Sequence, residues 1–176
     1  MTRHIFLVRH GQAVSNLSRE YSEWVHGPDG LTPLGLMQAR QAARALLAVM
    51  RPGYRLISSP LERARQTAEI LAEGVAPDAT LYLDERLQEK TPSESFDDAA
   101  RRAWQALWDH SSQGGVLCVT HGHVIQALAA LSLGFDDITR LHPFNCGITY
   151  FRDGRLVAFN MSLHLVGEER SVEELD

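Results

Sequence analysis

Short apolar runs alternate along the chain with longer segments in which apolar positions recur every three or four residues. His4 to Val8 is the first run, rich in β-formers and bounded by Gly11, and it predicts a buried strand. The stretch "HGPDGLTPLG" is dense in turn residues. Thr32 and Pro33 then predict a helix start, with Thr as N-cap and Pro at the first helical position, where its missing N–H costs nothing. "LGLMQARQAARALLAVM" carries that helix, which ends before Pro52-Gly53, and Tyr54 to Ile57 reads as a second strand. In "SSPLERARQTAEILAEG", Ser59 and Glu62 predict a capping box around Pro60, and Gly74 a helix end.

Ala79 to Leu83 predicts a third strand, and Phe96 to His110 a helix whose Trp104 and Trp108, one turn apart, read as core residues. Gly114-Gly115 leads into "VLCVTH", a fully apolar fourth strand. Gly122 to Leu133 reads as a helix closed by Gly134. "GITYFRDGRLVAFN" predicts a hairpin turning at Asp153-Gly154. The acidic tail from Glu168 reads as a solvated, frayed end. Strands alternating with helices predict an α/β fold, a three-layer α/β/α sandwich around a mainly parallel sheet.

Composition narrows the function classes more than the fold. A chain of 176 residues without an internal repeat suits a single domain over 1–176. Its net charge of −5, with no Lys/Arg-rich block, argues against a nucleic-acid partner. No apolar stretch is long enough to span a bilayer, and strand-like sequence starts too early to leave room for a signal peptide. Two cysteines, Cys118 and Cys146, make no disulfide framework, so a cytoplasmic protein with reduced thiols is expected.

In a mainly parallel sheet, ligands bind beyond the carboxyl ends of the strands. Those ends carry Arg9-His10, Ser58-Ser59-Pro60 with Arg63 nearby, and Thr120-His121-Gly122. Two histidines and two arginines on one edge make a cationic pocket suited to an anion with several oxygens, such as phosphate. An unprotonated imidazole there is a nucleophile for phosphoryl transfer, with arginines to hold the non-bridging oxygens.

"LVRHGQAVSN", "DGLTPLGLMQA", "SSPLERARQTAEIL" and "VTHGHVIQAL", in that order, resemble the histidine phosphatase superfamily, which includes the phosphoglycerate mutases. The resemblance covers about Ile5 to Ile148. It implies that His10 becomes the phosphohistidine, that Arg9 and Arg63 bind the phosphate with Asn16, and that His121 is the second pocket histidine. It also implies Glu89 as proton donor, and favours Arg63 over its neighbour Arg65. Asp84 and Glu85 are weaker substitutes for Glu89. The chain departs from the mutase pattern after Glu89, where "LQEKTPSESF" replaces a long covering insertion, and a shallow, open pocket is expected.

The expected activity is therefore a phosphatase acting on a phosphomonoester or a related labile phosphate. Its substrate is a phosphorylated small molecule or a phosphoprotein, and no cofactor is expected. Phosphoglycerate mutase, protein phosphohistidine phosphatase and a non-catalytic phosphate-binding module are the alternatives. His121 and His123 could suggest metal ligands, but two residues on one turn make only part of a site, and no metal is expected. His26, in the loop before Thr32, reads as a surface histidine with the pocket rim as its alternative.

Overall fold

Strands β1 (His4–Arg9), β2 (Arg55–Ser58), β3 (Leu81–Leu83), β4 (Gly115–Thr120), β5 (Ile148–Arg152) and β6 (Arg155–Met161) form one sheet in the order β3-β2-β4-β1-β5-β6. Helices α1 (Pro33–Leu46), α2 (Glu62–Val75), α3 (Phe96–His110) and α4 (Gly122–Leu133) cover it. The structure, a computed structural model, describes residues 2–17, 29–111, 114–135, 137–138 and 140–165. His26 and the tail from Glu168 lie outside the described residues.

β1, β4, β2 and β3 run parallel, while β5 and β6 are antiparallel additions beside β1. The sheet is thus mixed and mostly parallel, as the alternating pattern predicts. Side chains on successive strand residues point to opposite faces, so each strand feeds two cores. Ile5, Leu7, Ile57 and Cys118 pack with Ala103, Leu107, Ile125 and Leu128 of α3 and α4. Phe6, Val8, Leu56 and Val119 pack with Ala42, Leu46, Ala68 and Leu71 of α1 and α2. Each fully buried Leu, Ile or Phe contributes roughly 1.5–3 kcal/mol of transfer free energy. The sandwich holds because both faces of one strand are paid in this way.

Local signals set most boundaries. Thr32 Oγ1 accepts the Gly35 N–H at 3.1 Å, the predicted cap of α1. Asp153 (φ 50°) and Gly154 (φ 80°) give the β5–β6 turn the two positive φ angles of a tight hairpin. Four expectations fail. The third strand is confined to Leu81–Leu83, and α2 runs past Gly74 to Val75. The capping box does not form, because Leu61 is the N-cap of α2 and makes no side-chain cap bond. Ser59 and Glu62 serve distant partners instead. Trp104 meets Phe151 edge-on at 5.2 Å, but Trp108 is 42% exposed beneath the Arg3 guanidinium, so only one of the pair belongs to the core. Among the described residues, no helix is long and apolar enough to cross a membrane.

Candidate active site

Strand register brings three strand ends to one level. Arg9 pairs with Thr120 across β1 and β4, and Ser58 with Val119 across β2 and β4. His10, Ser59 and His121 therefore leave the sheet together at its carboxyl edge, with the His10 N–H on the Thr120 carbonyl at 3.0 Å and the Ser59 N–H on that of Val119 at 3.0 Å. Beyond His10 the chain passes against the first turn of α1. A Cβ on Gly11 would lie 2.5 Å from the Gly35 carbonyl oxygen, and one on Gly35 would overlap the Gln12 carbonyl. Glycine at both positions permits the contact. Thr67 Oγ1 accepts the Gly11 N–H at 3.0 Å, and Gln38 Oε1 accepts the Gln12 N–H at 2.9 Å, fixing the loop from both covering helices.

The two histidines have centroids 5.2 Å apart and are 2% and 0% exposed, so both rings are buried. His10 Nδ1 lies 2.8 Å from the Gly11 carbonyl, which can only accept, so Nδ1 carries the hydrogen. Nε2 is left with its lone pair and receives the Arg63 Nε–H at 3.2 Å. His121 Nε2 lies 2.8 Å from Ser59 Oγ, which also accepts the Leu61 N–H at 3.3 Å. Burial first, then the charges of Arg63 and Arg9, holds His10 well below the usual imidazole range, only partly offset by the Gly11 carbonyl. Burial, Arg63 and the neighbouring His10 act likewise on His121. Both rings are neutral near pH 7.

Arg63 is also held by Asp29, NH1 to Oδ2 at 3.1 Å, with both side chains 6% exposed. Asp29 in turn accepts from the N–H (2.8 Å) and hydroxyl of Ser15, and its own N–H donates to Glu62 Oε2 at 2.9 Å. That last bond takes the carboxylate expected in the capping box. Arg65 is half exposed in an ion pair with Glu69, so burial separates it from Arg63. Arg9 is buried beneath the segment before β5 and donates from NH1 to the Pro143 carbonyl at 2.9 Å. Asn16 stands one step back. Its carbonyl oxygen accepts from Ala13 N–H at 2.8 Å and from Asn145 Nδ2 at 3.3 Å, and the same Asn145 amide donates to the His10 carbonyl at 3.0 Å.

Glu89 enters from the connection between β3 and α3. Thr120 Oγ1 ties that connection to the sheet through the Leu87 carbonyl at 2.7 Å. Arg102 of α3 clamps it, donating to both Glu94 carboxylate oxygens at 2.6 and 2.8 Å and to the Arg86 carbonyl at 2.6 Å. Glu89 Oε1 accepts the Lys90 N–H at 2.8 Å and faces His123 Nδ1 at 3.4 Å. Burial alone would raise this carboxyl, but the His123 contact and charge, the Lys90 N–H and the Arg63 charge outweigh it and hold Glu89 below the usual range. Asp84 is engaged elsewhere, by Arg86 and His110, and Glu85 is exposed on a short 3₁₀ turn. His121 and His123 face different partners, Ser59 and Glu89. Among the described residues, no three His, Cys, Asp or Glu side chains are grouped as a metal would need.

Sequence reasoning missed Asp29 and Asn145, gave Ser59 a capping role, and weighed His123 only as a metal ligand. All four act through partners at least 30 residues away, as the Asn145–His10 bond across 135 residues illustrates. Local pattern carries no such signal. Only the position of Asp29, Ser59 and His123 inside the matched motifs hints at a role.

Comparison with known proteins gives the same frame. The chain is 34% identical over 130 residues to a 2,3-bisphosphoglycerate-dependent phosphoglycerate mutase of Methylobacterium sp. (strain 4-46), a match covering 65% of this chain and 60% of the mutase. It is 26% identical to a putative phosphoserine phosphatase 2 of Hydrogenobacter thermophilus, covering 99% of this chain and 95% of that protein. Among solved structures, Bacillus stearothermophilus YhfR superposes with a TM-score of 0.76 at 25% identity, over 92% of this chain and 98% of its own. A phosphoserine phosphatase of Entamoeba histolytica in complex with 3-phosphoglyceric acid shares the fold, with a TM-score of 0.70 at 20% identity over 93% of this chain and 100% of its own. The profile of the histidine phosphatase superfamily (branch 1) matches residues 5–92 and 88–155, nearly the whole described sheet with its strand-end histidines, and the chain belongs to that superfamily.

Proposed function

We propose that the chain is a phosphatase that hydrolyses a phosphomonoester through a phosphohistidine on His10. The carrying observation is the state of that ring. Its Nδ1 hydrogen is fixed on the Gly11 carbonyl, leaving Nε2 as an unprotonated nucleophile beside the Arg63 guanidinium. An incoming phosphoryl group takes the Arg63 Nε–H onto one of its oxygens and leaves the Nε2 lone pair free for in-line attack. Arg9 and Arg63 bear the negative charge on the non-bridging oxygens. His121 Nδ1 is buried, finds no partner among the described residues, and completes the cradle. Glu89 gives a proton to the departing oxygen, and its carboxylate then activates the water that releases phosphate.

A phosphorylated small molecule as substrate is supported by the relatives, whose names include a phosphoserine phosphatase and a phosphoglycerate mutase. Mutase action requires water to be kept from the phosphoenzyme between two transfers. Only the short Glu89–Ser95 stretch connects Glu89 to α3 here, too little chain to supply a cover, and hydrolysis is favoured. The test is His10→Ala against an aryl phosphate, with trapping of an acid-labile phosphoenzyme in the parent. Loss of turnover in a folded variant is expected. Undiminished turnover in His10→Ala would sink the assignment.

A further inference from the structure

Glu89 poses a problem for its own role. A general acid must hold a proton when the substrate arrives, yet this carboxyl is surrounded by groups that keep it ionised. The Lys90 N–H and the arginines Arg63 and Arg102 cannot yield a proton near neutrality. His10 and His121 are kept neutral by burial and by the arginines. Lys90 Nζ is turned away, donating to the Thr91 carbonyl at 2.9 Å and lying 4.9 Å from the Phe96 ring.

Among the described residues, one neighbour remains. His123, on the first turn of α4, places Nδ1 3.4 Å from Glu89 Oε1 and packs its ring 5.8 Å from Phe96 of α3. Imidazole is the side chain that exchanges protons near neutral pH. Its side chain is 35% exposed, against 13% for Glu89, so it can equilibrate with water while the more buried carboxyl feels the Arg63 charge. The charges around this pair are Glu89 itself, Lys90 beyond Phe96, Arg102 at the Glu89 carbonyl (3.5 Å), and Arg63 from α2. His121 stands on the same turn as His123.

From this juxtaposition we infer that His123 is the proton reservoir of Glu89, a positioning and proton-holding residue that never touches the substrate. The inference rests on Glu89 being the acid of the proposed phosphatase. The dyad starts with one proton, on His123. As the P–O bond to the leaving group breaks and the bond to His10 Nε2 forms, that proton passes through Glu89 Oε1 to the departing oxygen. The dyad is then empty. Water attacks phosphorus, its proton goes to Glu89 and returns to His123, and the bond to His10 Nε2 breaks to release phosphate. One proton leaves and one returns in each turnover, with no other reactant needed.

The test compares Glu89→Gln, His123→Gln and the double variant on an alkyl phosphate and on p-nitrophenyl phosphate, whose leaving group needs no proton. Acid catalysis contributes about 10²–10⁴-fold where it is required. His123→Gln should lose at least about tenfold in kcat on the alkyl ester alone, with KM little changed, and add nothing further in the Glu89→Gln background. In His123→Ala, added imidazole should restore alkyl ester turnover, which a packing role would not allow. If Glu89→Gln is selective for the alkyl ester while His123→Gln is not, the reservoir is overturned and the role of Glu89 stands. If Glu89→Gln is itself unselective, the acid assignment falls, and the reservoir with it. Circular dichroism of each variant checks the fold, and the glutamine variant keeps the test open if alanine fails to fold.

Discussion

Replacing Asp29 by Asn removes one charge from a buried pair and leaves the shape of the side chain. Arg63 NH1 and Asp29 Oδ2 are 3.1 Å apart, with both side chains 6% exposed. At an effective dielectric constant of about 20, their attraction is about 5 kcal/mol before desolvation is counted. Removing one partner of a buried pair typically costs about 3–5 kcal/mol, because the other charge stays buried without compensation. Asn can still accept from Ser15, so the lower end, about 3 kcal/mol, is expected. For a chain of this size that lowers the thermal midpoint by about 6–12 °C. A bound oxyanion returns the missing negative charge to Arg63, so the penalty should shrink in the complex. By linkage, the variant should bind vanadate or phosphate about 10- to 100-fold more tightly than the parent. Thermal unfolding followed by circular dichroism, with and without vanadate, measures the first effect. Competitive inhibition of aryl phosphate hydrolysis measures the second. A midpoint within about 1 °C of the parent, or weaker oxyanion binding, refutes the reading of Asp29 as the counter-charge that Arg63 exchanges for substrate.

His10, His121 and His164 all have folded-state proton affinities below the ordinary imidazole value, with burial the first cause in each. Their neutral forms are favoured by folding, so the stability they contribute is present above about pH 6.5 and is lost as pH falls below it. Denaturant unfolding at several pH values and NMR titration of the ring signals check this, and ring midpoints at or above the ordinary value would contradict it. Activity should survive exhaustive chelation and be inhibited by vanadate, because Arg9 and Arg63 supply the positive charge. Loss on chelation, restored by a divalent ion, would reverse the metal-free expectation. Arg102→Met should loosen the Glu89 connection, lowering kcat on alkyl esters by about tenfold while sparing aryl esters. Equal losses on both would make Arg102 a general structural clamp.

The sequence carried the fold wherever one segment decides its own structure. Thr32 and Pro33 cap α1, Asp153-Gly154 turns the hairpin, and Gly134 in the left-handed region (φ 67°) closes α4. The missing capping box has a tertiary cause. Ser59 and Glu62 have the spacing of a capping box, yet Ser59 Oγ meets His121 and the Leu61 N–H, and Glu62 takes the Asp29 N–H. The site was half legible. His10, Arg63 and His121 announce themselves at strand ends and a helix start. Asp29 and His123 matter through the charges they meet across the fold, which no local window contains.

The strand that leads into His10 sits where the sheet changes direction, parallel to β4 on one side and antiparallel to β5 on the other. That position has a consequence for synthesis. A nascent chain that has emerged as far as Gly134 already carries both histidines, both arginines and Glu89. It still lacks the Pro143 carbonyl that receives Arg9, the Asn145 amide that holds the His10 backbone, and the strand that covers the flank of β1. Such long-range pairings close late in folding. Reactivity toward phosphate esters should therefore be silent throughout translation of the first three-quarters of the chain. It should switch on only when the hairpin docks, making the first turnover a signal that the last strand is in place.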